Sequence, residues 1–246
     1  MTNEYENETF FRAYAGMARS REGLKAAGDW PQFRTLMPPL EGKRVLDLGC
    51  GYGWHCHYAA EMGARQVLGI DASERMVEEA RHRNPGENIT YRVCPLEAYD
   101  YPAEAWDVVI SNLALHYVAD LTDVFRRVLD TLCPGGVLLF NIEHPVFTAG
   151  VGQDWVYRLD GTPAYWPVDG YFTPGPRRTH FLGCEVVKQH HTLTQILGGL
   201  LKLGFVLEAV EEVQPPEEMM NQPGMADELR RPMMLLVRAH REKKPD

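Results

Sequence analysis

Short apolar segments alternate with helically periodic ones from Arg44 to Ile142, and this rhythm restricts the fold more than any other feature of the chain. Arg44–Leu48 reads as a strand, followed by a glycine turn and a helix reaching Ala64. Residues 66–70 form a second strand, and Ser73 is placed to cap a helix that turns Met76, Val77 and Ala80 to one side. Residues 89–94 and 106–112 read as the third and fourth strands. A helix over residues 121–132 points Val124, Phe125, Val128, Leu129 and Leu132 inward, and Pro134-Gly135-Gly136 turns into a fifth strand over 137–142. Strands that are apolar along their whole length must be covered on both faces, which predicts a parallel sheet between two helical layers.

The rhythm breaks after Glu143 for some forty residues. It resumes with an amphipathic helix carrying Leu193, Ile196, Leu197, Leu200 and Leu201, closed by Gly204, and then with strands over 205–212 and 233–239. The expected fold is therefore α/β: a Rossmann-like, doubly wound, mostly parallel seven-stranded sheet in a single domain. Residues 1–40 form an N-terminal helical lid, 41–143 the core, 144–190 an insertion after the fifth strand, and 191–246 a C-terminal helix and strands.

The decisive local feature is Val45-Leu46-Asp47-Leu48-Gly49-Cys50-Gly51-Tyr52-Gly53. Glycines at a strand-to-helix turn allow a ligand to approach the backbone closely. A dinucleotide fingerprint would be GxGxxG; here the spacing is GxGxG, Trp54 follows, and Asp47 at the mouth of the loop would repel a pyrophosphate. A carboxylate there suits a cationic ligand. Asp71, at the end of the second strand and about twenty residues beyond the loop, is placed to accept both hydroxyls of a ribose.

These segments, VLDLGCGYG followed by VLGIDASERM, resemble motif I and its acidic successor in class I S-adenosylmethionine-dependent methyltransferases of the type 11 group. Cys94-Pro95-Leu96-Glu97, Asp107–Asn112 and Cys133–Gly136 fall where later motifs of that family belong. The resemblance implies S-adenosylmethionine as cofactor. It implies that Asp47, Gly49 and Gly51 line the methionine moiety and that Asp71 holds the ribose. Ala72, Met76, Leu96 and Glu97 would then surround the adenine, and Asn112 would close the site beneath the methionine. Cys94-Pro95 departs from the small residue after an acid that many relatives carry there.

Of the histidines, His144 follows the fifth strand at the ligand-binding end of the sheet, and is a candidate general base for a hydroxyl or amine nucleophile. The alternative is a buried, hydrogen-bonded ring. His116, after the fourth strand, and His191, before the late helix, are candidates for the substrate pocket. So are Tyr14 of the N-terminal lid and Trp155, Tyr165 and Trp166 of the aromatic insertion, whose alternative role is a minor core of their own. His55, Cys56 and His57 lie in line on a helix, where neighbouring side chains diverge by about 100°, so no metal site is expected.

The formal charge of −9 and the absence of Asn/Asp-Pro-Pro-aromatic or Pro-Cys motifs oppose a nucleic-acid substrate. Five scattered cysteines, an acidic start without signal-peptide character and no run of membrane-span length predict a soluble cytoplasmic protein, monomeric or homodimeric. The expected activity is methyl transfer to an O or N nucleophile of a small molecule. C-methylation of a quinone-like or other activated ring is the second reading, and a non-catalytic S-adenosylmethionine binder the third.

Overall fold

The computed structural model describes residues 4–243. Three short helices, α1 (Glu8–Ala15), α2 (Ala18–Glu22) and α3 (Trp30–Thr35), precede the sheet. The core then runs β1 (Arg44–Leu48), α4 (Trp54–Glu61), β2 (Gln66–Asp71), α5 (Glu74–Arg83), β3 (Ile89–Val93), β4 (Trp106–Asn112), α6 (Leu121–Thr131) and β5 (Leu132–Glu143). After a one-turn helix α7 (Pro145–Thr148), the insertion forms two hairpins: β6 (Val156–Tyr157) with β7 (Pro163–Tyr165), and β8 (Gly175–Phe181) with β9 (Cys184–His190). The chain closes with α8 (Gly199–Leu203), β10 (Phe205–Glu212), a short α9 (Met225–Glu228) and β11 (Met234–Arg241).

The main sheet has seven strands in the order β10-β11-β5-β4-β1-β2-β3. The strands β5-β4-β1-β2-β3 are parallel, and β11 joins β5 antiparallel, with β10 as the edge. This is the doubly wound architecture expected from the alternation of strands and helices. One face packs Leu46, Leu48, Val109, Leu138 and Phe140 under Val124, Phe125 and Val128 of α6. The other packs Val45, Val67, Val108 and Leu139 against Phe33, Cys56, Ala59 and Val77. Ser73 caps α5 as expected, its Oγ accepting the Met76 N–H at 3.2 Å.

Several boundaries differ from the periodicity. The helix after the glycine loop ends at Glu61 and not at Ala64, because the chain turns through Gly63, whose φ is +82°. α6 stops at Thr131, and β5 begins at Leu132, not Val137. Pro134-Gly135-Gly136 lies within the strand as an irregularity with Gly135 at φ +77°, rather than forming the turn. The late helix is a π turn (Thr194–Gly198) continuing into α8, consistent with its paired glycines, Gly198 and Gly199. The last strand is shifted to Met234–Arg241.

Candidate active site

The strand order reverses between β1 and β4, and the crevice outside the carboxyl ends of strands at such a switch point is where α/β folds take their ligands. The loop after β1 enters it with Gly49 at φ +76° and Gly51 at φ +51°. A Cβ on Gly49 would run into the Ala114 methyl from the β4 loop. A Cβ on Gly51 would meet only the Tyr14 hydroxyl, 4.0 Å away. The first glycine therefore lets two loops touch, and the second leaves backbone open to a ligand.

From above, the N-terminal helices bring Tyr14, Arg19, Ser20 and Gly23 onto this loop, and Asn112 faces them from the end of β4. On the cleft lining, Tyr52 Oη, Trp54 Nε1 and Asn112 Oδ1 are buried without a hydrogen-bond partner. An unsatisfied buried polar group costs about 1–3 kcal/mol, so this concentration marks a site shaped for a polar ligand. Arg19 adds a cation. Burial works against its charge, but Asp29, Tyr14 and Tyr5 hold its pKa above the ordinary value.

Asp71, at the end of β2, accepts the Gly51 N–H on Oδ2 and the Ser73 N–H on Oδ1, both at 2.9 Å. Its carboxyl thus ties the glycine loop to the start of α5. Burial raises its pKa, while the Ser73 and Gly51 bonds act to lower it. Glu6 of the N-terminal segment reaches the same place, accepting the Ser73 hydroxyl at 2.6 Å. Asp47 lies deeper, 1% exposed under the loop, its Oδ2 accepting the Cys56 thiol at 3.3 Å. Burial in that setting pushes its pKa up to about 7.

The other expected cofactor residues stand on the loops after β2 and β3. Ala72 and Glu97 are exposed there, Met76 is buried in the first turn of α5, and Leu96 belongs to the main core. Beside Asn112, Nδ2 approaches His55 Nε2 at 3.5 Å, with the His55 ring packed on Trp30 and Phe33. Burial lowers the His55 pKa to about 4. His57 is paired instead with Glu61 at 3.4 Å. Among the described residues no group of three or more His, Cys, Asp or Glu side chains is placed to hold a metal ion.

The structure moves the base assignment away from His144. Its Nδ1 accepts the Val146 N–H at 3.1 Å, capping α7, and its Nε2 lies 3.2 Å from Glu212 on the β10 edge. Both nitrogens are committed, and the ring turns toward the antiparallel edge, away from β4 and β1. Burial lowers its pKa, with Glu212 opposing.

The expected aromatic wall is likewise a minor core. Trp166 stacks on Phe147 with centroids 5.0 Å apart and donates from Nε1 to the Val146 carbonyl at 3.2 Å. Trp155 packs edge-on to Trp166, with Arg231 over both rings and Arg230 over Trp155. Tyr165 is 59% exposed. Apolar rings and arginine stems satisfy one another here, leaving no wall turned to the cleft.

A different group approaches from the second hairpin. Glu143, at the end of β5, pairs with Lys188 of β9 and accepts from Gln153 Nε2 at 3.0 Å. Burial would raise the Glu143 pKa, but the charge of Lys188 and the hydrogen bonds from Lys188 and Gln153 outweigh it, and the group stays ionised. His116 is buried beside this pair with its ring tilted on Tyr117 (centroids 4.5 Å apart) and Nδ1 unpartnered. Burial lowers its pKa to about 4, against the pull of Glu143, so the ring is neutral. His191 donates from Nε2 to the Val118 carbonyl at 2.8 Å, a packing role. Tyr5 meets Tyr117 hydroxyl to hydroxyl at 3.3 Å and packs edge-on to Tyr14, while Phe10 meets Phe181, whose ring lies against Lys188. A continuous path of side chains thus links the glycine-loop cleft to the Glu143 cluster.

Sequence reasoning missed Arg19, Tyr52, Trp54, Glu143 and Lys188. Glu143 precedes the histidine that drew attention, and Lys188 occupies an inward position of β9 between Val186 and His190, visible only as a lysine in an otherwise inward-facing alternation.

Residues 46–140 match the family of methyltransferase domains. The S-adenosylmethionine-dependent methyltransferase from Mesorhizobium loti is 43% identical, superposes with a TM-score of 0.82, and is matched over 89% of this chain and 100% of its own. A Listeria monocytogenes protein assigned to the same S-adenosylmethionine-dependent class is 46% identical over 90% of this chain and 100% of its own, with a TM-score of 0.86. Among curated proteins with a named activity, the ubiquinone biosynthesis O-methyltransferase of Sinorhizobium medicae is 39% identical over 102 residues, 41% of each chain. The chain spans about half the length of such relatives. Fold, glycine loop and acidic partner define a nucleoside-cofactor methyl-transfer enzyme. The chain belongs to the class I S-adenosylmethionine-dependent methyltransferases, type 11-like, and its cofactor is S-adenosylmethionine.

Proposed function

We propose that the protein transfers a methyl group to an oxygen or nitrogen nucleophile of a small molecule. The observation that carries this reading is the enclosure of the site. The N-terminal helices bring Tyr14, Arg19 and Ser20 over the glycine loop and Asn112, and Tyr5 extends this cover through ring contacts with Tyr14 and Tyr117, an enclosure that suits a small acceptor better than a polymer. The net charge of −9 points the same way. The related ubiquinone O-methyltransferase supports an O-acceptor by analogy alone. No helix of the described residues is long and apolar enough to cross a membrane.

The residues divide the work. Asn112, Arg19 and the open backbone at Gly51 would hold the methionine end of the cofactor, and Asp71 the ribose. When bound, the sulfonium supplies an activated methyl group whose leaving thioether is neutral, so no acid is required. The chain orients the acceptor and excludes water through the α1 cover, an effect worth on the order of 7–11 kcal/mol for well-aligned reactants.

The test is tritium transfer from S-adenosyl-L-[methyl-³H]methionine into a fractionated cell extract. Label should enter the protein-free, low-molecular-weight fraction, in products whose methyl is ether-, ester- or amine-linked. Label confined to RNA or protein would sink the small-molecule reading, and carbon-bound methyl would favour the ring C-methylation alternative.

A further inference from the structure

We infer that His116 takes the proton from the methyl acceptor, with Glu143 as its positioning residue and Lys188 and Gln153 holding Glu143 in place. The inference rests on the small-molecule O- or N-acceptor reading above.

The placement follows from the sheet. Asn112 and Asn141 are partners in the β4–β5 ladder, and Asn112 lines the cofactor cleft. Glu143 lies two residues beyond Asn141, about 7 Å further along the strand toward the ligand-binding end. His116 stands beyond Asn112, after Leu113 has turned the chain in the left-handed region at φ +57°. Both strands therefore deliver a polar residue just past the cleft, on the side covered by Tyr5 and Tyr117.

Two observations separate this cluster from ordinary buried polar packing. The first is that His116 Nδ1 has no partner although the residue is only 4% exposed, whereas the nearby buried His190 is satisfied at both nitrogens by Thr148 and Tyr171. The second is that a charged Glu–Lys pair is buried here at the cost of desolvating both ions, and a well-packed apolar pair would serve stability as well or better. A carboxylate fixed beside a neutral imidazole is the arrangement that stabilises the imidazolium once a proton arrives.

The step balances. The acceptor's X–H proton passes to His116 Nδ1, the X–C bond forms, and the C–S bond breaks with its electron pair kept by sulfur. One positive charge disappears from the sulfonium as one appears on His116, so charge moves across the buried site and is not created in it. That matching compensates for the low intrinsic basicity of a buried ring. The charged or titratable groups facing His116 are Glu143, which favours its protonation, and Lys188 and His191, which oppose it.

The test combines tritium transfer into the low-molecular-weight extract, calorimetry with S-adenosylhomocysteine, and NMR of ¹⁵N-histidine-labelled protein. His116→Ala should lose on the order of 10²–10⁴-fold in methyl transfer. It should bind S-adenosylhomocysteine within about twofold of wild type, as a change away from the cofactor's contacts does, and added imidazole should recover part of its activity. Glu143→Gln should lose activity less severely and shift the His116 ring's titration to lower pH. His116→Gln serves if the alanine variant misfolds. Activity of His116→Ala within about threefold of wild type, a smaller loss than the 10²-fold a positioned base typically supplies, would overturn the assignment. So would absence of imidazole rescue, or a His116 titration indifferent to Glu143→Gln. If wild type binds S-adenosylhomocysteine but labels only macromolecules, the acceptor reading fails, and the NMR arm alone then tells whether the His116–Glu143 coupling stands without it.

Discussion

At the scale of single residues, two carboxylates flank the glycine loop, Asp71 at the end of β2 and Asp47 buried beneath the loop. Asp71 already spends both oxygens on the Gly51 and Ser73 amides, so it fixes the loop as well as offering lone pairs to a ribose. Asp71→Ala should weaken S-adenosylhomocysteine binding by about 1.5–3 kcal/mol, the scale of hydrogen bonds to a charged group. Unchanged affinity with an intact fold would place the ribose elsewhere. Asp47 makes a pH prediction. Its folded pKa, about 7, lies above that of an ordinary aspartate, so the free protein favours the protonated form. The stability this contributes is present at acid pH and is lost as pH rises from about 4 through 7. A ligand ammonium beside Asp47 needs the ionised form, so cofactor affinity should fall about tenfold per pH unit below 7. Calorimetry in buffers of differing ionisation enthalpy should show a proton released on binding in that range, and Asp47→Asn should abolish the release. A flat profile for wild type would contradict the assignment. The turn that sets Gly49 and Gly51 beside Asp47 and Asp71 was legible because its pattern is local to one loop and the strand beside it. The role of His144 was misread because what occupies its ring, Val146 and Glu212, depends on α7 and on the pairing of the edge strands, neither written in the residues around it.

At the scale of elements, strand identity was readable because buried parallel strands are apolar throughout, and helix α6 because one side alone is apolar. Phe125 is fully buried with its ring 5.5 Å from Phe140 across the helix–sheet contact. Phe125→Ala should cost about 3–5 kcal/mol, seen as a lower urea midpoint at unchanged slope. A loss below about 1 kcal/mol, the level of a surface substitution, would mean that α6 is not packed as described. Boundaries were less legible. Pro134-Gly135-Gly136 carries every mark of a turn, yet β5 extends across it because its pairing with β4 at Trp106 recruits the segment. The insertion's aromatics were read as a wall because composition cannot say what faces what. Their partners, Arg230 and Arg231, come from more than sixty residues away in the chain.

At the scale of the molecule, the doubly wound sheet sets a crevice at the β1/β4 switch, and α1 and α2 fold over it so that the cleft is walled by the N-terminal helices, the loop after β1 and the end of β4. The aromatic contacts of Tyr5, Tyr14 and Phe10 continue that cover toward the Glu143 cluster. The N-terminal segment therefore belongs to the proposed site, in which the cleft between Arg19, Asn112 and the glycine loop holds S-adenosylmethionine. Calorimetric titration of the full chain tests this most directly. Wild type should bind one equivalent of S-adenosylhomocysteine, Arg19→Met should bind it at least about tenfold more weakly, as expected on losing a charge-linked hydrogen bond, and NAD should give no saturable heat. Saturable NAD binding, or S-adenosylhomocysteine affinity indifferent to both Arg19→Met and Asp71→Ala, would contradict it.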